Sequence, residues 1–161
     1  MKKIMFVAAI CVMSAFSCKK DNQPNPVQDL FVGAKFQGIN WLGQPSTSIE
    51  NGDTLKVIGF RSEGNEYLVF RIRFKGVGTD TLKNASQASY YTTDGSGAKT
   101  SSYKLDVTKT NTVTITSFDP SIDIARGDFQ LYFVKTSGGS AFNNTATFAN
   151  GKLWVQVPVK P

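Results

Sequence analysis

Strict two-residue alternation of apolar and polar side chains constrains this chain more than any other feature of its sequence. Across residues 66–75, Leu68, Phe70, Ile72 and Phe74 fall on one side, and Tyr67, Val69, Arg71, Arg73 and Lys75 on the other. Side chains of a β-strand point alternately to opposite faces, whereas a helix repeats every 3.6 residues, so this segment buries one face only as a strand. Residues 128–135 repeat the design, with Phe129, Leu131 and Phe133 inward and Asp128, Gln130, Tyr132 and Val134 outward. Shorter runs of the same kind occur at Tyr103-Leu105-Val107, Val113-Ile115, Ala146-Phe148 and Leu153-Val155-Val157. Turn-forming pairs separate the runs: Asn51-Gly52, Gly64-Asn65, Asp94-Gly95, Asp119-Pro120, Ser137-Gly138-Gly139 and Asn150-Gly151. The expected fold is all-β: an antiparallel β-sandwich or a flattened β-barrel built from hairpins in a meander.

The N-terminus carries a different pattern. Lys2 and Lys3 precede an apolar stretch, Ile4 to Ala15, that has the length of a signal-peptide core and is too short to span a bilayer. Ala15-Phe16-Ser17-Cys18 resembles a lipobox, which predicts cleavage before Cys18 and lipid attachment to its sulfur. Three units follow: a lipoprotein signal peptide (1–17), a lipidated Cys with a tether (18–30) and one all-β domain (31–161). Removing residues 1–17 of 161 leaves 144 and lowers the net charge from +6 to +4, because Lys2 and Lys3 leave. Of the two cysteines, Cys11 departs with the signal and Cys18 carries lipid, so the domain is expected to stand on its core without disulfides. Treated as a flexible chain, residues 19–30 have a root-mean-square span of about 19 Å and a stretched length of about 40 Å. The domain is thus expected close above the membrane. Lys19 in place of the aspartate that marks inner-membrane retention points to the outer membrane, with surface exposure favoured over the periplasmic face.

The segment Ala34-Lys35-Phe36-Gln37-Gly38-Ile39-Asn40-Trp41 resembles the opening of a family of uncharacterised Bacteroidota lipoproteins. Thr54-Leu55-Lys56-Val57, Ala88-Ser89-Tyr90-Tyr91, Arg126-Gly127-Asp128-Phe129 and Ala149-Asn150-Gly151-Lys152-Leu153 follow in that family's order. The resemblance spans most of the domain and implies the fold; the family has no assigned activity. From the residues themselves, Gln37-Gly38 predicts a two-residue turn placing Phe36 beside Ile39, and Trp41 supplies a large apolar surface to the core.

The chain has no histidine, which removes the usual general base near neutral pH and the commonest metal ligand. Ser-His-Asp and Cys-His catalysis are excluded, and no catalytic residue, metal ligand or cofactor is assigned. Ser101 and Lys104 match Ser-x-x-Lys, but on a strand residues three apart face opposite ways. Aspartates in Asp94-Gly95-Ser96-Gly97 and at 119 and 123 are read as turn formers rather than a calcium site. Scattered basic residues give no polyanion-binding tract, so no nucleic-acid partner is expected.

The candidate contact surface comprises Trp154, expected on the outer face opposite Leu153 and Val155, the aromatics Tyr90, Tyr91 and Tyr132, and the basic row Arg71, Arg73 and Lys75. Thr54 and Thr81, each in Asp-Thr-Leu, resemble the O-glycosylation sites of exported Bacteroidota proteins, with Thr81 placed in a loop-like segment. The expected role is a lipid-anchored, non-enzymatic module binding an envelope glycan or protein. Alternatives are a small-ligand carrier with a lipocalin-like cavity and, less favoured, a polysaccharide hydrolase. The anchor is directly testable: Cys18→Ala is expected to abolish incorporation of labelled palmitate and move the protein from the membrane to the soluble fraction. A Cys18→Ala protein that stays in the membrane would remove the lipid from the account.

Overall fold

A computed structural model describes residues 29–158; the expected signal peptide, Cys18 and the tether before residue 29 lie outside them. Ten strands run through the described residues: β1 Phe31–Phe36, β2 Ile39–Glu50, β3 Thr54–Arg61, β4 Glu66–Arg73, β5 Gly78–Leu82, β6 Ala88–Thr93, β7 Lys99–Leu105, β8 Asn111–Asp119, β9 Ile124–Gly138 and β10 Thr145–Gln156. Single 3-10 turns, Ser62–Gly64 and Ala85–Gln87, interrupt them. The all-β expectation holds.

Every pairing is antiparallel, and together the ladders close a circuit: β1–β2–β3–β4–β6–β7–β9–β10, with β10 returning to β1. Of the two architectures expected, the pairing selects the barrel. β9 makes this possible because its fifteen residues serve three ladders. Its first half pairs with β8 (Ile124 opposite Asp119, Gln130 opposite Thr112), its second with β7 (Phe133 opposite Leu105), and β10 runs along its other edge. β8 and β5 therefore leave the circuit as a two-stranded flap. The flap leans back on the barrel, where the Arg73 N–H donates to Asp80 Oδ2 at 2.7 Å.

Local chemistry sets the hairpins. Gln37 and Gly38 both adopt positive φ (49° and 85°), as do Asn51 and Gly52 (50° and 82°), the backbone that matches a two-residue turn to the twist of its strands. Phe36 then sits opposite Ile39 as predicted. The Asn150-Gly151 turn is corrected: the pair lies inside β10, where Asn150 has φ 51° and the register with β9 shifts between Phe148 and Gly151. Asn-Gly is here a β-bulge rather than a reversal, and the two short runs expected around it are one twelve-residue strand. A side chain at Gly151 would run into the Phe129 ring packed over it. β4 also ends earlier than the alternation suggests, at Arg73.

Inward residues fill the barrel. Trp41, Phe70, Phe133 and Phe148 are its largest fully buried side chains. Phe148 is the centre of contact, with ring centroids of Phe36 at 4.8 Å, Tyr90 at 5.2 Å, Trp41 at 5.4 Å and Phe133 at 5.9 Å. These rings come from β1, β2, β6, β9 and β10, so one side chain ties five strands of the circuit. Truncating a buried phenylalanine removes its transfer energy and leaves a cavity, about 3–5 kcal/mol in all. Phe148→Ala is expected to lose that amount in urea unfolding, while Ile39→Ala, at a 71% exposed position, should stay within about 0.5 kcal/mol.

Candidate functional site

Two successive rungs of the barrel interior differ in kind. Leu68 of β4 lies opposite Tyr90 of β6, which lies opposite Tyr103 of β7; one rung further toward the barrel end, Glu66, Thr92 and Ser101 occupy the same three strands. The outer rung is polar although it continues an inward-facing row. It forms the floor of a pocket of about 180 Å³ at the barrel mouth, walled by Phe36, Tyr90 and Tyr103 and by the connection between β9 and β10. That connection is tied down by Tyr103, whose hydroxyl donates to the Asn143 carbonyl at 2.9 Å, and by Lys135, whose ammonium donates to the Phe142 carbonyl at 2.8 Å. From the opposite rim the Gln37 side-chain amide donates to the Thr145 carbonyl at 2.8 Å.

Glu66 is the charged member of the floor, its side chain 16% exposed. Its Oε2 accepts the Trp41 indole N–H at 2.5 Å and lies 3.7 Å from the Arg61 guanidinium. A part-buried carboxylate needs such donors to offset lost hydration. Beside it the hydroxyls form a chain, Thr92 Oγ1 standing 2.6 Å from Thr100 Oγ1 and 2.7 Å from Ser101 Oγ. Burial, followed by the Glu66 charge and neighbouring Tyr103, raises the Tyr90 pKa well above the ordinary phenol value. The pocket thus presents one carboxylate, a set of hydroxyls and aromatic walls.

The residues expected from sequence fall elsewhere, and some expectations are corrected. Tyr90 is not a surface aromatic: it is 3% exposed and packs on Phe36, Tyr103 and Phe148. Adjacent strand residues face opposite ways, so Tyr90 and Tyr91 could not share a surface. Tyr91 does face out, but its ring is stacked on Tyr67 (4.8 Å, 9° between planes), which in turn packs on Phe60, and the Lys99 ammonium covers it at 4.5 Å. Trp154 faces outward as the alternation predicts, with the Arg126 guanidinium 4.1 Å from its ring centre and Phe31 at its edge; its indole N–H is buried without an acceptor. Tyr132 is half-buried on the outer face of β9, its backbone N–H donating to the Asn111 side-chain carbonyl.

The basic row divides. Arg71 pairs with Glu50 at 2.9 Å and Arg73 with Asp53 at 2.9 Å, while Lys75 lies beyond the end of β4 and does not continue the row. Thr54 opens β3, and Thr81 lies exposed in strand β5 rather than in a loop. Ser101 and Lys104 face opposite ways, Ser101 buried and Lys104 exposed. Asp94 and Asp119 act as turn formers, each side-chain oxygen accepting from the N–H and hydroxyl of the serine two residues on. Among the described residues no group of three or more His, Cys, Asp or Glu converges on a metal position.

Glu66 is the site residue that turn-based reasoning passes over. The signal was present: Glu66 shares the parity of Leu68, Phe70 and Ile72 and so belongs on the inward face, where an acid is anomalous.

No family model, curated protein or solved structure matches the chain.

The Tyr90 phenol gives the site a pH signature. Its pKa is raised in the folded state, so the stability it contributes is complete below the unfolded value near 10 and is lost as pH rises from there toward the folded value. The melting temperature is expected to fall above about pH 10, and Tyr90→Phe to flatten that decline. A decline identical in the variant would show that Tyr90 is not its source.

Proposed function

We propose that this chain is a lipid-anchored, non-catalytic binding module of a Gram-negative outer membrane, attached through Cys18, and that its binding site is the pocket at the barrel mouth. The reading keeps the resemblance to Bacteroidota lipoproteins and favours the outer surface of the cell, where envelope and external glycans are the available ligands. One observation carries the assignment of the site: the Glu66, Thr92 and Ser101 rung faces into a pocket with aromatic walls. A carboxylate and hydroxyls beside aromatic rings suit a hydroxyl-rich ring compound, whose polar edge takes hydrogen bonds and whose apolar face packs on the rings.

Size supports the choice among ligands. At about 180 Å³ the pocket is smaller than the roughly 300–1,000 Å³ of drug-sized sites, so it suits a single sugar unit at the end of a glycan. The carrier alternative requires an open apolar interior, and in this barrel Trp41, Phe70, Phe133 and Phe148 occupy the interior. Hydrolysis by paired carboxylates requires a second acid across the scissile bond, and Glu66 is the one carboxylate lining the pocket among the described residues.

The outer-face aromatics support this location from the other side. Tyr67 and Tyr91 are stacked on each other with Lys99 over the Tyr91 ring, and Trp154 has the Arg126 guanidinium over its ring. A sugar would have to displace those partners.

Titration calorimetry against a panel of mono- and disaccharides, with Glu66→Gln as the comparison, tests the assignment. A hydrogen bond to a charged group is worth about 1.5–3 kcal/mol, so the variant should bind at least about tenfold more weakly. Equal affinity in wild type and variant would place the binding surface away from the mouth.

A further inference from the structure

The strand by which the chain enters the barrel carries an exposed apolar ridge. Phe31 and Gly33 of β1 share the outer face with Leu42 of β2. The absence of a side chain at Gly33 lets both neighbours lean over it: a Cβ built there would lie 3.4 Å from Leu42 Cδ1 and 3.4 Å from the Phe31 ring. Leu42 is 65% exposed. A groove runs along each flank of the ridge. One is lined by Leu30, Pro45 and Phe60 together with the charged Asp29, Arg61 and Glu63, and the other carries the lysines Lys35 and Lys152. Lys152 is paired with Asp128, whereas Lys35 is exposed and has no ion pair among the described residues. An apolar crest with lysines beside it is the composition that lies in a membrane interface.

Chain connectivity says which surface would cover it. Asp29 and Leu30 line the first groove, and Cys18 stands eleven residues before Asp29. At about 3.6 Å per residue that distance cannot exceed about 40 Å. A lipid on Cys18 therefore holds this face of the barrel within one domain diameter of the bilayer, at an effective concentration high enough for a weak patch to be occupied.

We infer that the Phe31–Leu42 ridge is a second membrane contact, which seats the barrel on the lipid surface to which Cys18 anchors it. The inference rests on the lipid-anchor reading, and the test separates the two. Trp154 supplies a native reporter, its ring centroid 6.4 Å from that of Phe31; Trp41, 1% exposed in the core, supplies the background. Lipidated protein is reconstituted into phosphatidylethanolamine and phosphatidylglycerol vesicles with or without brominated acyl chains, and tryptophan emission is compared after flotation.

With the ridge seated at the acyl boundary, the Trp154 emission is expected to fall about twofold in brominated vesicles. Leu42→Asp should restore it, and Trp154→Phe should leave only the unquenched core signal. Leu42 points into solvent, and circular dichroism of the variant verifies its fold. Protein that floats with the vesicles while Trp154 stays unquenched, or is quenched equally in Leu42→Asp, overturns the contact and leaves the anchor standing. Wild-type protein that does not float overturns the anchor, and the inference with it.

Discussion

An eight-stranded barrel has an interior just wide enough for side chains to fill, and here the filling is arranged around Phe148. Four rings surround it, at centroid distances between 4.8 and 5.9 Å, and they belong to strands far apart in the chain. Aromatic pairs in such tilted and edge-on arrangements add about 0.5–1.5 kcal/mol beyond the area they bury. The closing ladder between β1 and β10 depends on the same residue, because Phe148 is paired with Phe36 across it. The bulge at Asn150-Gly151 follows at once. It changes the register of β10 just beyond the cluster, so that Phe148 and Leu153 both face inward although five residues apart. Without that extra residue the strict alternation of a strand would turn one of them outward.

The polar rung is a consequence of where the aromatic filling stops. Trp41 belongs to the cluster through its ring, which meets Phe148 edge-on, and to the mouth through its indole N–H, which meets Glu66. A buried indole needs an acceptor and a part-buried carboxylate needs donors. The pair satisfies both needs at the boundary between a dry interior and an open pocket. Arg61, shared between Glu63 and Glu66, extends the arrangement to the surface.

Much of this was legible in the residues, because most of it follows from parity. Leu68, Phe70 and Ile72 face inward as their spacing requires, the Gln37-Gly38 hairpin has the expected register, and Trp41 is buried. Closure of the barrel was not legible, since no local pattern says that β1 and β10 pair. Asn150-Gly151 was misread for a definite reason: a two-residue turn and a bulge both require positive φ, and Asn-Gly supplies it to either. Tyr90 and Glu66 were misplaced by attention to residue type over position. A tyrosine beside another tyrosine suggests a surface and a glutamate beside a turn suggests solvent, yet parity with Leu68 within β4 assigns Glu66 to the interior, and pairing opposite Leu68 assigns Tyr90 there too.

The ladder between β1 and β10 joins Phe31 to Trp154, nearly opposite ends of the domain. Pairings of such separation form late, because the intervening chain must be ordered before the contact repays it. Until β10 is in place, β1 and the long β9 each keep an open edge, and the aromatic face between them is uncovered. Open edges next to apolar surface recruit strands from other molecules. A copy shortened before residue 145 would therefore differ from the complete domain in its dealings with neighbours as well as in its fold. The β10 strand covers the edges of β1 and β9 together, and the flap strand β5, paired with β8 on one side alone, keeps its edge.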